Sequence, residues 1–292
     1  MRNFYVAAAL LGLLWAMPVR ARGQESPYFV TYDHHLEEPD NLEVTTSATV
    51  GVPRKGQHAF FAPYTEFEYG VLGRWTTELY IEGQSTARDS SIFTGWRWEN
   101  RVRPLLREHW INPVLYLEFE DINEADKIEK EIIGHAPDFS IVNAISRGQK
   151  DRELEGKLIL SSNTHDWNIS ENFILEKNFS ANEGLEFGYA FGFSRPLASM
   201  ASPNQCRFCR ENFAAGIEFY GGLGSTRQFG LSNTAHYAAP VIAWQVTDNG
   251  SLRFSPSFGL TQESVPVLLC VGYVYEIQAL GRRLAAWLAG KP

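Results

Sequence analysis

Beyond Met17 the sequence has no apolar run near the ~20 residues that a membrane-crossing helix needs, and its mean hydropathy is -0.23. That excludes a helical membrane bundle but not a β-barrel, whose inner face is polar. Basic charge is scarce too: 26 Lys and Arg against 34 Asp and Glu leave a net charge of -8 and a pI near 5.5. A nucleic-acid partner would want the opposite sign. Cysteines number only three, Cys206 and Cys209 in a CRFC motif and Cys270. The C-x-x-C pair has no second half with zinc-ligand spacing, and Arg210 stands where a c-type haem site requires His. In an exported chain Cys206 and Cys209 are expected to close a small disulfide, while Cys270, in an apolar stretch, reads as a small hydrophobe. No glycine-rich phosphate loop is present either, because Gly221-Gly222-Leu223-Gly224 closes a strand and opens no helix. No cofactor is expected.

What is present begins with an export signal. Arg2, the apolar stretch 4–17 and the small-residue site Ala21-x-Gly23 read as a secretory signal peptide over residues 1–23. The 292-residue chain suits one large domain. Its aromatic content of 13% suits strands and interfacial girdles. The stretch HAFFAPYTEFEYGVLGRWTTELYIEGQST (58–86) alternates with period two. Phe61, Thr65, Phe67, Tyr69, Trp75, Thr77, Leu79 and Ile81 face one way, and Tyr64, Glu66, Glu68, Arg74, Thr76, Glu78, Tyr80 and Glu82 the other. Each arm is longer than a usual soluble strand and near the ~9–11 residues that a tilted strand needs to cross a bilayer.

Ten further segments repeat the pattern. In 90–103 it predicts Ile92, Trp96, Trp98 and Val102 outward, with Arg97, Glu99, Arg101 and Arg103 inward. In 113–122 Leu115, Leu117 and Phe119 oppose Tyr116, Glu118 and Glu120; in 151–162 Leu154, Leu158 and Leu160 oppose Glu153, Glu155 and Lys157. In 166–177 Glu171 falls on the apolar face with Trp167, Ile169, Phe173 and Leu175, so a bulge or a shifted register is expected there. The result is an all-β, antiparallel transmembrane β-barrel of about twelve strands, an even number as in bacterial single-chain barrels, with a short C-terminal amphipathic helix. Residues 24–40 are a periplasmic N-terminal segment, 41–276 the barrel and 277–292 the helical tail. Tight turns at 71–74, 163–166 and 247–250 suit the periplasmic side, although the connections 105–111 and 196–210 are long for it. One or two helical turns are expected over 125–133. The competing all-β reading is a soluble two-sheet sandwich.

The predicted lumen face carries Glu66, Glu68, Glu78, Glu82, Arg97, Glu99, Arg101, Glu118, Glu120, Glu155, Lys157, Glu218 and Arg253. These residues form either an acidic channel lining for cationic or neutral solutes or a salt-bridge ladder that fills the lumen. His34 and His35, with Asp33, Glu37 and Glu38, are weak metal candidates, because adjacent side chains on an extended chain point apart; the other reading is a polar periplasmic segment or a lumen plug. A lipid hydrolase would need a Ser–His pair. Ser232 with His236 and Ser162 with His165 are the nearest in sequence, but neither sits in a nucleophile motif, and no enzyme activity is expected.

The run YDHHLEEPDNLEV, the hairpin EFEYGVLGRWTTELYIEGQ and the stretches FTGWRWENRVRPL and HWINPVLYLEFED together resemble an uncharacterised family of bacterial exported barrel proteins, and loosely the transporter-type outer-membrane barrels. The resemblance spans about residues 32–275. It implies a barrel in the outer membrane of a Gram-negative bacterium, porin-like, whose partners are the lipid bilayer and the outer-membrane assembly machinery; it carries over no catalytic residue. The expected function is a narrow passive channel or transport component for a small solute. A structural or docking barrel with a filled lumen and an outer-membrane lipid hydrolase are the alternatives.

Overall fold

A computed structural model describes residues 26–126, 143–198 and 206–289. The signal-peptide assignment to residues 1–23 lies outside them. Twelve strands follow in order: β1 (Leu42–Val52), β2 (Phe60–Leu72), β3 (Trp75–Thr86), β4 (Ser91–Val102), β5 (Asn112–Asn123), β6 (Lys150–Thr164), β7 (Trp167–Asn178), β8 (Glu186–Pro196), β9 (Phe213–Ser225), β10 (His236–Thr247), β11 (Gly250–Gly259) and β12 (Val267–Ile277). Each pairs antiparallel with its sequence neighbours, and β1 pairs with β12 to close a single barrel. The closing seam runs unshifted from Leu42↔Ile277 to Val52↔Val267. Closure satisfies every ladder edge, and it overturns the two-sheet sandwich.

The alternation read from the sequence sets the two faces. In β3, Trp75, Leu79 and Ile81 are exposed while Thr76, Glu78, Tyr80 and Glu82 are buried. The outside is therefore apolar and the inside charged, the inverse of a soluble domain. Strands of 11–15 residues dominate, with β11 at 10. About twelve residues at ~3.4 Å each, tilted ~40°, give a wall roughly 30 Å high.

Three expectations are corrected. Ile92 does not point outward: the register shift between Glu82 and Gly83 leaves Thr94 unpaired, so Phe93 takes the outer face instead. Glu171 needs no bulge, because the pairs Leu160↔Glu171 and Glu171↔Phe191 sit in unbroken ladders and its exposed carboxylate stands on the apolar outer face. Arg74 lies in the two-residue turn between β2 and β3 and is exposed, so it lines no lumen. The helical stretch expected over 125–133 lies outside the described residues except for 125–126; a separate four-residue helix spans Asn143–Ser146.

Both ends of the barrel sequence lie at one rim, with the two-residue turns 73–74, 165–166 and 248–249. The ends of β4 and β8 and the starts of β5 and β9, which the long connections join, are at this same terminal rim. The C-terminal helix Leu280–Leu288 hangs from it by Asp40, whose carboxylate accepts from the Gly281 N–H at 2.8 Å and the Arg282 Nε at 3.1 Å. That helix buries nothing; Leu284, Trp287 and Leu288 are exposed.

Candidate functional site

The inner wall divides into two arcs of different chemistry. On β2–β6 it carries long charged side chains. Arg101 lies 2.7 Å from Glu68 and 3.0 Å from Glu99, and its Nε donates to Glu78 at 2.7 Å. Arg97 lies 3.1 Å from Glu82 and 3.5 Å from Glu120, with Glu118 at 3.8 Å. Lys157 lies 2.9 Å from Glu155. On β7–β12 and β1 many inward positions hold small residues, Ser170, Ala190, Gly192, Ser194, Ala214, Gly216, Ala239, Ala243, Ser251, Ser255, Gly272, Ser47 and Thr45, with Glu43, Ile174, Glu218, Tyr220, Tyr237, Arg253 and Leu268 as the larger exceptions. A twelve-stranded barrel lined all round like the first arc would have little free space at its centre. The small arc leaves room.

That room is occupied by the chain itself. Residues 26–40 rise into the lumen from the terminal rim, turn near mid-height and return to enter β1, so this segment lies within the barrel. The physical reason is its polar backbone, which the wall satisfies at fixed points. The buried carboxylate of Glu218 accepts the N–H groups of Phe29 (2.9 Å), Val30 (2.9 Å) and Thr31 (2.6 Å). The Asn172 side chain accepts from Tyr32 N–H at 2.7 Å and donates to Tyr32 C=O at 2.8 Å, as a neighbouring strand would. Tyr32 OH donates to Glu99 at 3.0 Å, and its ring lies under Arg101 (5.0 Å) and Lys157 (4.6 Å). Val30, at the turn, packs with Phe60, Ile174, Tyr220, Tyr237 and Leu268 in an apolar cluster toward the opposite rim.

The two histidines pin the descending limb. His34 is fully buried, with Nδ1 2.8 Å from Ser161 Oγ and Nε2 3.0 Å from Glu108 of the long 103–111 connection. His35 pairs with Asp33 at 3.0 Å. Their nitrogens are spent on separate partners and do not converge on a metal position. Burial and the neighbouring His35 hold the His34 pKa down, whereas Asp33 raises that of His35. The order Ser161–His34–Glu108 has the connectivity of a hydrolase triad. Ser161 is 1% exposed and also receives hydrogen bonds from Ser170 (2.8 Å) and Asn168 (3.2 Å), so a substrate has no approach to it. Of the Ser–His pairs read from the sequence, His236 instead meets Tyr189 OH (3.1 Å) and Thr234 Oγ1 (2.9 Å), and His165 meets Thr164 Oγ1 (3.1 Å).

The residues expected to line the lumen differ in burial. Glu68, Glu78, Glu82, Arg97, Glu99, Arg101, Glu118, Glu120, Glu155, Lys157 and Glu218 have buried side chains on the inner face, and Glu66 and Arg253 are half-buried there. Arg253 lies 3.7 Å from Glu43 and donates to Tyr28 C=O at 3.4 Å. Sequence reasoning missed the anchors Asn172, Ser161 and Glu108 and the part of Glu218 in holding the segment. The lumen-plug reading of the stretch around His34 and His35 pointed to the lumen, but nothing in it named these partners. Cys206 and Cys209 are disulfide-bonded, and Cys270 is free and buried.

Two cavities remain around the luminal segment. One, of about 180 Å³, lies between it and the β1–β3 wall and is lined by Glu37, Glu43, Glu66, Glu68, Tyr64 and Tyr80 among others. The other, of about 370 Å³, opens at the terminal rim between Ser26, Asp33, His35, His165, Asn168 and Arg195.

No protein-family model matches the chain, and no curated protein matches it in sequence. Among solved structures it is similar to the COG4313 outer membrane channel from Pseudomonas putida F1, with a TM-score of 0.55 at 11% identity over 84% of this chain and 98% of that one. Looser likenesses include the KdgM porin (TM-score 0.46, 8% identity, 80% of this chain and 98% of that one) and outer membrane phospholipase A from Escherichia coli (TM-score 0.38, 9% identity, 89% and 96%). At such identities the likeness is one of architecture: the chain has the fold of the outer-membrane β-barrel proteins.

Proposed function

We propose that the protein is an outer-membrane channel that passes a small solute through a lumen narrowed by its own N-terminal segment. The outer face supports the location. It carries an apolar band with Leu79, Ile81, Leu115, Leu117, Phe173 and Val271 exposed, and Tyr69, Trp75, Trp167, Trp244 and Tyr275 ring the terminal rim as an interfacial girdle does. The observation that carries the channel reading is how the lumen is filled. Its obstruction is a loop held by discrete contacts on both arcs, and cavities flank the loop. The charged arc, rich in carboxylate, favours cationic over anionic solutes. The ion-pair ladder on β3–β6 favours the second reading, a docking barrel whose filled lumen never opens.

Planar-bilayer conductance separates the two. The full chain is expected to give small, cation-selective steps, and a variant lacking residues 26–36 large ones. A barrel that inserts but stays silent in both forms sinks the channel reading. A lipid-hydrolase reading would require turnover of phospholipid micelles, and none is expected.

A further inference from the structure

The 180 Å³ cavity has more structure than a packing gap. Glu43, Glu66 and Glu68 bring carboxylate oxygens within 4.8 Å of one another. The placement is fixed by the sheet, since Glu43 faces Glu68 directly across the β1–β2 ladder and Glu66 faces Thr45 one inward pair further along. Like charges directly opposite one another destabilise a sheet. Arg101, 2.7 Å from Glu68, and Arg253, 3.7 Å from Glu43, offset part of the repulsion while serving other carboxylates and the luminal backbone as well. A second observation is independent of the acids. Ser47, 4% exposed, lines the same cavity, and its hydroxyl has no hydrogen-bond partner. A buried hydroxyl left unpaired costs stability that a guest in the cavity can return.

The rest of the lining narrows the chemistry. Rings of Phe29, Tyr32, Tyr64 and Tyr80 border the cavity, and aromatic faces attract cations. A bare divalent ion would want a compact cage of six or more oxygens, whereas this space equals about six waters in volume and is bordered by aromatic rings as well as carboxylates. We propose that the cavity binds a small organic ammonium ion, its charged nitrogen held by Glu43, Glu66 and Glu68 with the Ser47 hydroxyl, and its carbon skeleton against the rings. As a binding site this stands whether or not the barrel conducts; as the identity of the transported solute it rests on the channel reading.

The test is calorimetric titration of the full-length protein in detergent with n-butylammonium chloride, 1-butanol and calcium chloride. Saturable one-site binding of butylammonium is expected, with none for butanol. Glu66→Gln should weaken it about tenfold through loss of one charge-assisted hydrogen bond. Tyr64→Leu, which leaves the acids in place, should weaken it as well, and Glu171→Gln on the outer face should change nothing. Heat-modifiable gel migration checks that each variant is folded. Saturable calcium binding without amine binding overturns the proposal in favour of a metal site, and no saturable binding of either cation overturns it outright. Amine binding by a barrel that is silent in bilayers, with and without residues 26–36, would retain the site and discard the channel.

Discussion

The two arcs of the inner wall solve the same problem in opposite ways. The β2–β6 arc fills its share of the lumen with its own side chains and neutralises them in place, Arg101 and Arg97 each serving three carboxylates. The β7–β1 arc contributes little volume of its own and is completed by a separate stretch of chain, residues 26–40. Buried charges are tolerable only when paired. The charged arc is therefore a fixed structure, because moving one member exposes several others. The small arc stores fewer such obligations. Its partner is held by a handful of hydrogen bonds and by the Tyr32 ring, and its departure removes luminal contacts of Glu218 and Arg253 on this arc and of Glu99, Arg101 and Lys157 on the facing one. The difference teaches where to look for motion: the wall that holds the ladder is the frame, and the wall of glycine, alanine and serine is the seat.

The largest effect should come from breaking the frame. Arg101→Leu leaves Glu68, Glu78 and Glu99 facing one another in a buried site, at a cost of about 3–5 kcal/mol. The variant should lose heat-modifiable migration or unfold at markedly lower urea, whatever the state of the luminal segment. Wild-type resistance would mean that the ladder is solvated and the contrast between the arcs is false.

Next comes crowding the seat. A Cβ at Gly192 would lie 2.6 Å from the Tyr28 ring and 2.9 Å from Thr31. Gly192→Leu should therefore expel the luminal segment while leaving the ladder untouched. Expected are near-normal barrel stability and conductance steps approaching those of the variant lacking residues 26–36. Equal loss of stability in Gly192→Leu and Arg101→Leu would erase the distinction between seat and frame.

How much of this was legible follows from the same contrast. The wall could be read because a strand's two faces alternate in sequence: the Glu78, Tyr80, Glu82 row and the Leu79, Ile81 row are visible with no knowledge of neighbours. Strand number and closure followed from repetition. The seat was not legible in this way. Residues 26–40 show no period, and their anchors are single side chains far away in sequence, Glu218 lying 189 residues from Phe29 and Asn172 lying 140 from Tyr32. Glu171 misled because a carboxylate on an apolar row looks like a register error, when the ladder in fact runs straight through it. Ile92 misled for the converse reason, since the bulge at Thr94 leaves no mark in the residue pattern beyond Gly95.

A smaller effect should come from loosening one anchor. Glu218→Gln keeps the shape but loses the charge that draws three N–H groups together. Charge-assisted hydrogen bonds exceed neutral ones by roughly 1 kcal/mol each, so docking should weaken by about 2–3 kcal/mol. Single-channel records should show the small steps of the full chain interrupted by frequent large ones. Unchanged records would mean that Asn172 and the His34 pin suffice.

The smallest effect is one of pH, and it tests whether the seat alone titrates. Burial lifts the Glu37 pKa to about 7, with Glu68 and Glu276 adding to the shift, from an ordinary 4.5. A docked group that holds its proton more tightly than the free chain favours docking below 4.5 and loses that advantage as pH rises to about 7. His35 acts in the same sense above 6.5, because its ion pair with Asp33 fades as the imidazole deprotonates. His34 acts in the opposite sense, since burial keeps it neutral and docking is penalised as pH falls below 6.5. Glu37 and His34 thus oppose each other from 4.5 to 6.5, and above that only loosening remains. Open probability of the full chain should be nearly flat up to about pH 6.5 and then climb a few-fold by pH 8. Glu37→Gln should remove the part of the climb near pH 7 and leave the part that His35 controls. An identical climb in both proteins would exclude Glu37 as a contributor, and a climb that survives removal of residues 26–37 would place the titrating groups in the frame.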